Sequence, residues 1–217
     1  MSEPLILVPG MMSDARVFMP QIVELTKTRS VQIASVAQAD TIRDMAADIL
    51  SSAPRQFALA GHSMGGVVAM EMLRQAPERV TRLALISTTA ATETPMQAAE
   101  REPQIVRAQA GRFADVLTET LREEYFFDGP ARPQIMQLMM TMAQRLGPEV
   151  FIRQSRALQS RPDQQKTLRT TQIPVLALGG EHDRLTPVKR HEFLAELILI
   201  KILGSAKKIC RAIVPIL

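Results

Sequence analysis

The segment that most constrains the fold is Phe57-Ala-Leu-Ala-Gly61-His62-Ser63-Met64-Gly65-Gly66, continued by Val67-Val-Ala-Met-Glu-Met-Leu73. An apolar run of strand length ends in Gly-x-Ser-x-Gly, and a helical pattern follows at once from about Gly65 to Gln75. Ala76-Pro77 stops it, because a residue before proline is pushed out of the helical region. The five-residue pattern alone is weak, since small residues are common. Its setting gives it weight: a serine between a buried strand and a helix sits in a sharp, strained turn, and the glycines two before and two after keep side chains from blocking it. The helix N-terminus then lies under negative charge developing at that serine. The competing reading is a plain glycine-rich strand–helix turn.

The rest of the chain has the same rhythm. Short apolar runs at Leu5–Val8, Val31–Val36, Leu83–Ser87 and Val175–Leu178 alternate with helical patterns. This predicts an α/β fold with a mostly parallel, doubly wound sheet. A capped helix is expected after Thr41, with Ile42, Met45, Ala46 and Ile49 on one face and Asp44 at the capping-box position. Between Ser87 and Ile173 the strand rhythm disappears over a stretch longer than an ordinary crossover needs. The patterns there are helical, through Phe113, Val116 and Leu117 and through Ile135, Leu138, Met139 and Met142. The expected organisation is therefore a core of residues 1–88 and 172–217 with a helical cap of residues 89–171. Methionines 96, 136, 139, 140 and 142 fall in this insertion. They are either helix-packing residues or a pliable apolar lid over a pocket, a use that unbranched thioethers suit.

Charge excludes less than the total suggests. The chain carries +4, but all 22 acidic residues lie at or before Glu196, and Lys201, Lys207, Lys208 and Arg211 lie after it. The body is neutral. With one Tyr, no Trp and no basic patch interleaved with aromatics, no nucleic-acid partner is expected. No apolar run approaches the roughly 18 residues of a membrane span, and the first ten residues lack a signal-peptide pattern, so no membrane association and a cytoplasmic location are expected. Cys210 is the only cysteine, which suits a reducing compartment.

Two further stretches add to the serine. In Leu5-Ile-Leu-Val-Pro9-Gly10-Met11-Met12 a strand runs into a Pro-Gly turn. A serine that transfers acyl groups needs two convergent backbone N–H donors for the oxyanion; Met64, directly after Ser63, would give one and Met11, in this turn, the other. In Pro174-Val-Leu-Ala-Leu-Gly179-Gly180-Glu181-His182-Asp183-Arg184-Leu185-Thr186-Pro187, Asp183 lies just past the C-terminal end of a strand, where open α/β sheets keep their sites. Thr186 and Pro187 read as the cap and first position of the next helix. An Asp near a helix start is by itself an ordinary capping residue.

Together these features resemble the α/β-hydrolase fold family, in particular its small lidded bacterial members, over most of residues 4–197. The resemblance rests on the Pro9-Gly10 turn, the Gly61-His62-Ser63-Met64-Gly65-Gly66 elbow and the Gly179-to-Asp183 loop, in order. It implies a sheet of about six to eight strands, a cap after the strand ending at Ser87, and a Ser–His–Asp triad in which Ser63 attacks and Asp183 orients the base. It also implies a small acyl substrate; no cofactor is expected, and no metal, since the three histidines show no ligand spacing. In such proteins the histidine follows the acid after one more helix and strand, and this chain does not supply it. His62 is in the elbow and points away by alternation, His182 adjoins the proposed acid, and His191 falls within the helix after Pro187. The composition also changes near Leu197. Residues 198–217 hold six isoleucines, three of the six lysines and no acid, against a body with 19 arginines and 3 lysines. The expectation is a tail out of frame or truncated relative to its relatives. A carboxylesterase-like serine hydrolase impaired by the missing histidine is the first functional reading, and a hydrolase-fold protein that binds without turnover is the second.

Overall fold

The computed structural model describes residues 3–199, so the tail is outside the described residues from residue 200 onward. Five strands form one parallel sheet: β1 (Leu5–Val8), β2 (Val31–Ile33), β3 (Phe57–His62), β4 (Val80–Ile86) and β5 (Val175–Leu178), in the order β2-β1-β3-β4-β5. The helices are α1 (Met19–Leu25), α2 (Ile42–Ser52), α3 (Met64–Gln75), α4 (Pro95–Gln109), α5 (Phe113–Thr120), α6 (Arg132–Gln159), α7 (Gln165–Thr170) and α8 (Val188–Leu197). The resemblance implied about six to eight strands. Among the described residues the chain enters the sheet at Leu5 and leaves it at Leu178, which limits them to five.

Strand periodicity divides the sheet into two buried faces. Ile6, Val8, Phe57, Leu59, Leu83 and Leu85 belong to a core shared with α2, α3 and α8, whereas Leu5, Leu7, Ala58 and Ala60 pack with Phe18 and with Met142 of α6. Met64 to Leu73 of α3 are buried without interruption, so the helix after Ser63 is held from all sides. Its Glu71, 1% exposed, accepts hydrogen bonds from Arg74, Gln75 and Gln164.

Thr41 caps α2 as expected, its hydroxyl oxygen accepting from Asp44 N at 3.1 Å. Several boundaries move. β3 runs on to His62 and β4 starts earlier, at Val80. β2 stops at Ile33 because it is an edge strand, and Val36 gives its carbonyl to Gln154 Nε2 instead of a ladder. α8 begins at Val188, and neither Thr186 nor Pro187 caps it by side chain.

Residues between β4 and β5 are helical, as the lost strand rhythm predicts. α6 is broken at Gly147 (φ 81°, ψ 173°), with Pro148 opening its second half. Met12, Val116, Leu117, Ala143 and Phe151 make a small core of their own, which ties the insertion to the turn after β1. The methionines divide: Met142 is fully buried against the sheet, and Met96 is 72% exposed.

Candidate active site

β1 leads out to β2 on one side, and the chain then crosses back to β3 on the other. The order reverses between β1 and β3, and open α/β sheets have their crevice at such a point, outside the carboxyl ends of the strands. The register pairs Leu7 with Ala60 and Val8 with Gly61, so the Pro9-Gly10 turn and the Ser63 elbow leave the sheet side by side.

Ser63 has φ 53° and ψ −120°, a conformation that L-residues rarely adopt. Its neighbours impose it. Ser63 N donates to Ile86 O at 2.9 Å, and Ser63 O accepts from Gly66 N at 2.9 Å and from Thr88 Oγ1 at 2.7 Å. Gly61 and Gly65 are required by closeness: a Cβ on Gly61 would stand 2.2 Å from Gly65 O, and one on Gly65 would stand 2.1 Å from Val8 O. Met64 is the first residue of α3, where a backbone N–H has no intrahelical acceptor.

The turn after β1 comes close to this elbow. A Cβ on Gly10 would stand 3.2 Å from Ser63 Cβ and 3.0 Å from His62 Nδ1. Within the turn Ser13 N donates to Gly10 O, and Met12 N donates to Gln154 Oε1 at 2.8 Å. Met11, between Gly10 and Met12, lies in this turn beside the elbow.

His62 lies against the Gly10 turn, edge-on to Phe18 with ring centroids 6.5 Å apart. Its Nδ1 is buried without a hydrogen-bond partner among the described residues. Burial lowers its pKa from 6.5 to about 4, although the Asp183 charge acts to raise it. At neutral pH this imidazole is uncharged.

Asp183 is in the loop after β5, where the sequence put it. Its carboxylate accepts from Leu185 N at 2.9 Å, from Thr186 N at 2.8 Å and from the Thr186 hydroxyl. Its hydrogen bonds among the described residues thus all come from its own loop. His191 lies in α8 over Gly179, and among the described residues neither ring nitrogen has a partner of hydrogen-bond geometry. Burial drives it toward the neutral form against the Asp183 charge and the Pro187 carbonyl, with Arg190 reinforcing burial. His182 stacks on Phe127 with centroids 5.2 Å apart. No histidine among the described residues is hydrogen-bonded to Ser63 or Asp183. A cavity of about 1020 Å³ opens beside Phe127, Arg132, His182 and Asp183, and Ser63 is not on its walls.

Sequence reading missed two residues. Thr88, 2% exposed, holds the elbow carbonyl and packs on Gly66; its signal was its place two residues past β4. Gln154, fully buried, secures the turn after β1 from 142 residues away, and nothing local marks it.

Residues 26–208 match the family described as alpha/beta hydrolase fold. Among solved structures, an esterase from Thermogutta terrifontis is 23% identical with a TM-score of 0.82, over 92% of this chain and 79% of that one. The enol-lactonase from Burkholderia xenovorans is 19% identical with a TM-score of 0.80, over 98% and 87%. An esterase from Exiguobacterium antarcticum is 20% identical with a TM-score of 0.76, over 94% and 82%. At such identities the likeness is one of fold. No curated protein matches the chain.

Proposed function

Because the chain belongs to the α/β-hydrolase fold family, we propose that it is a serine hydrolase of the carboxylesterase type, with Ser63 as the nucleophile toward small acyl substrates. The backbone of Ser63 carries this reading: a non-glycine residue at φ 53° stores strain at the crevice end of the sheet, and such strain gathers at sites of chemistry. Gly61, His62 and Gly65 complete the elbow. Ser63 Oγ attacks the acyl carbonyl, the N–H groups of Met64 and Met11 hold the oxyanion, the alcohol leaves, and water then releases the acid. Asp183 is the acid of the triad. Residues 89–171 are the lid on a core that, among the described residues, comprises 3–88 and 172–199. The names of the similar structures, two esterases and an enol-lactonase, support ester chemistry without fixing the substrate.

Among the described residues no histidine is hydrogen-bonded to Ser63 or Asp183, and impaired turnover is part of this reading. Loss of a triad member typically lowers turnover by on the order of 10⁴- to 10⁶-fold. Turnover of a short-chain p-nitrophenyl ester, measured beside Ser63→Ala and Asp183→Asn, tests the reading. Weak activity abolished by Ser63→Ala supports it, and activity indifferent to that change sinks it.

A second reading, a binding protein without turnover, is favoured by the Asp183 carboxylate, which bonds only within its own loop. A fluorophosphonate separates the two readings, since a mere binder labels Ser63 no faster than any surface serine.

A further inference from the structure

We propose that Arg101 and Arg161, which share the single carboxylate of Glu93 beside the Ser63 elbow, form a subsite for a carboxylate on the substrate. The esters preferred would then carry an anionic group at the end remote from the scissile bond. This rests on the reading that Ser63 marks the reacting centre.

Position is the first argument. Glu93 is on the segment leaving the C-terminal end of β4, Arg101 is on α4, and Arg161 lies just past α6. Arg101 Nη1 points at Met11 Sδ, 3.9 Å away. Met11 follows Gly10, whose missing Cβ would be 3.2 Å from Ser63 Cβ. The Met11 side chain and the Gly10 turn thus lie between the guanidinium and the serine.

Charge is the second. Arg101 Nε and Nη2 donate to Glu93 at 2.6 to 3.0 Å, and Arg161 Nη1 is 3.6 Å from the same carboxylate. The side chains of Glu93, Arg161 and Arg101 are 4%, 10% and 22% exposed. Two cations withdrawn from water share one anion, an imbalance that a buried group tolerates only when a counter-charge is supplied. Burial pushes the Arg161 guanidinium below its ordinary range; Glu93 opposes this, and Arg101 and Arg190 add to it.

Hydrogen bonding is the third. Arg161 Nε donates to Ala91 O at 3.0 Å, so the neck of the insertion is already secured without its Nη groups. Among the described residues Arg101 Nη1 faces only a thioether, a weak acceptor. The donors left over match the planar, two-oxygen shape of a carboxylate.

The test is calorimetric binding of monomethyl glutarate and of dimethyl glutarate to the Ser63→Ala protein, which cannot turn either over. The monoanion should bind about tenfold or more tightly than the neutral diester, and Arg101→Met should erase the difference. Equal affinities, no binding of either ester, or a preference that survives Arg101→Met would each overturn the proposal. Should Arg101→Met fail to fold, Arg101→Lys serves instead: it keeps the charge but loses the fork, and must reduce the preference. Turnover of both esters by the protein with Ser63 intact is read separately. A binding preference without turnover leaves the subsite standing and removes only the hydrolase reading.

Discussion

Ser63 is kept at φ 53° at a cost of about 1–3 kcal/mol, and its neighbours must compensate. Thr88 contributes the 2.7 Å hydrogen bond to the Ser63 carbonyl from a fully buried position. Thr88→Val keeps the shape and removes the donor, so it should lower unfolding free energy by about 1 kcal/mol in urea titrations and slow fluorophosphonate labelling of Ser63. His62 sets a pH dependence. Its folded-state pKa of about 4 lies below the ordinary 6.5, so between those values the unfolded chain binds a proton that the folded protein refuses. Stability is complete above pH 6.5 and falls as pH drops toward 4, by up to about 3 kcal/mol from this group. The His191 shift has the same sign. Urea midpoints at pH 7 and pH 4.5 should therefore differ less in His62→Gln than in the parent chain; an unchanged difference would show that His62 does not titrate this way.

At the scale of elements, the turn after β1 is fixed by the second half of α6 as well as by its own residues. Gln154 Oε1 accepts from Met12 N, and its Nε2 donates to Val36 O at 3.0 Å, bridging the ends of β1 and β2. Gln154→Leu would leave one buried N–H and one carbonyl without partners. About 2–4 kcal/mol of destabilisation is expected, read from thermal melts. If Met11 N–H holds the oxyanion as proposed, any measurable ester turnover should also fall in kcat more than it rises in KM. The break in α6 was legible in principle. Leu146-Gly147-Pro148 holds a helix-ending glycine followed by a helix-opening proline, yet apolar periodicity on both sides suggests continuity.

Over the whole molecule, the insertion is joined to the sheet by a charged neck. Arg161 Nε reaches Ala91 O, Gln164 N reaches Ala90 O, and Glu93 lies between Arg101 and Arg161. Glu93→Gln removes the anion that both arginines share. Breaking a buried pair in this way typically costs about 3–5 kcal/mol. The expected sign is faster proteolytic cleavage within residues 89–94, with cleavage at the parent rate counting against the neck as the fastening.

Sequence by itself determined the strand order of appearance, the elbow and the segment holding Asp183, because each is written in neighbouring residues: an apolar run, a glycine where a Cβ would collide, a turn before a helix. The resemblance to α/β-hydrolases followed from the same local signals, and the family match bears it out. Boundaries slipped by a few residues, as at Val36 and Val80, because ladders end where partners end. Only the tertiary structure decided what distant residues do to the site. Gln154 on the turn, Thr88 on the elbow, the Asp183 carboxylate within its own loop and Arg101 beside Met11 depend on contacts formed after the insertion has packed over the sheet. Such contacts leave no periodicity in the chain, since a hydrogen bond across 142 residues imposes no pattern on the residues between.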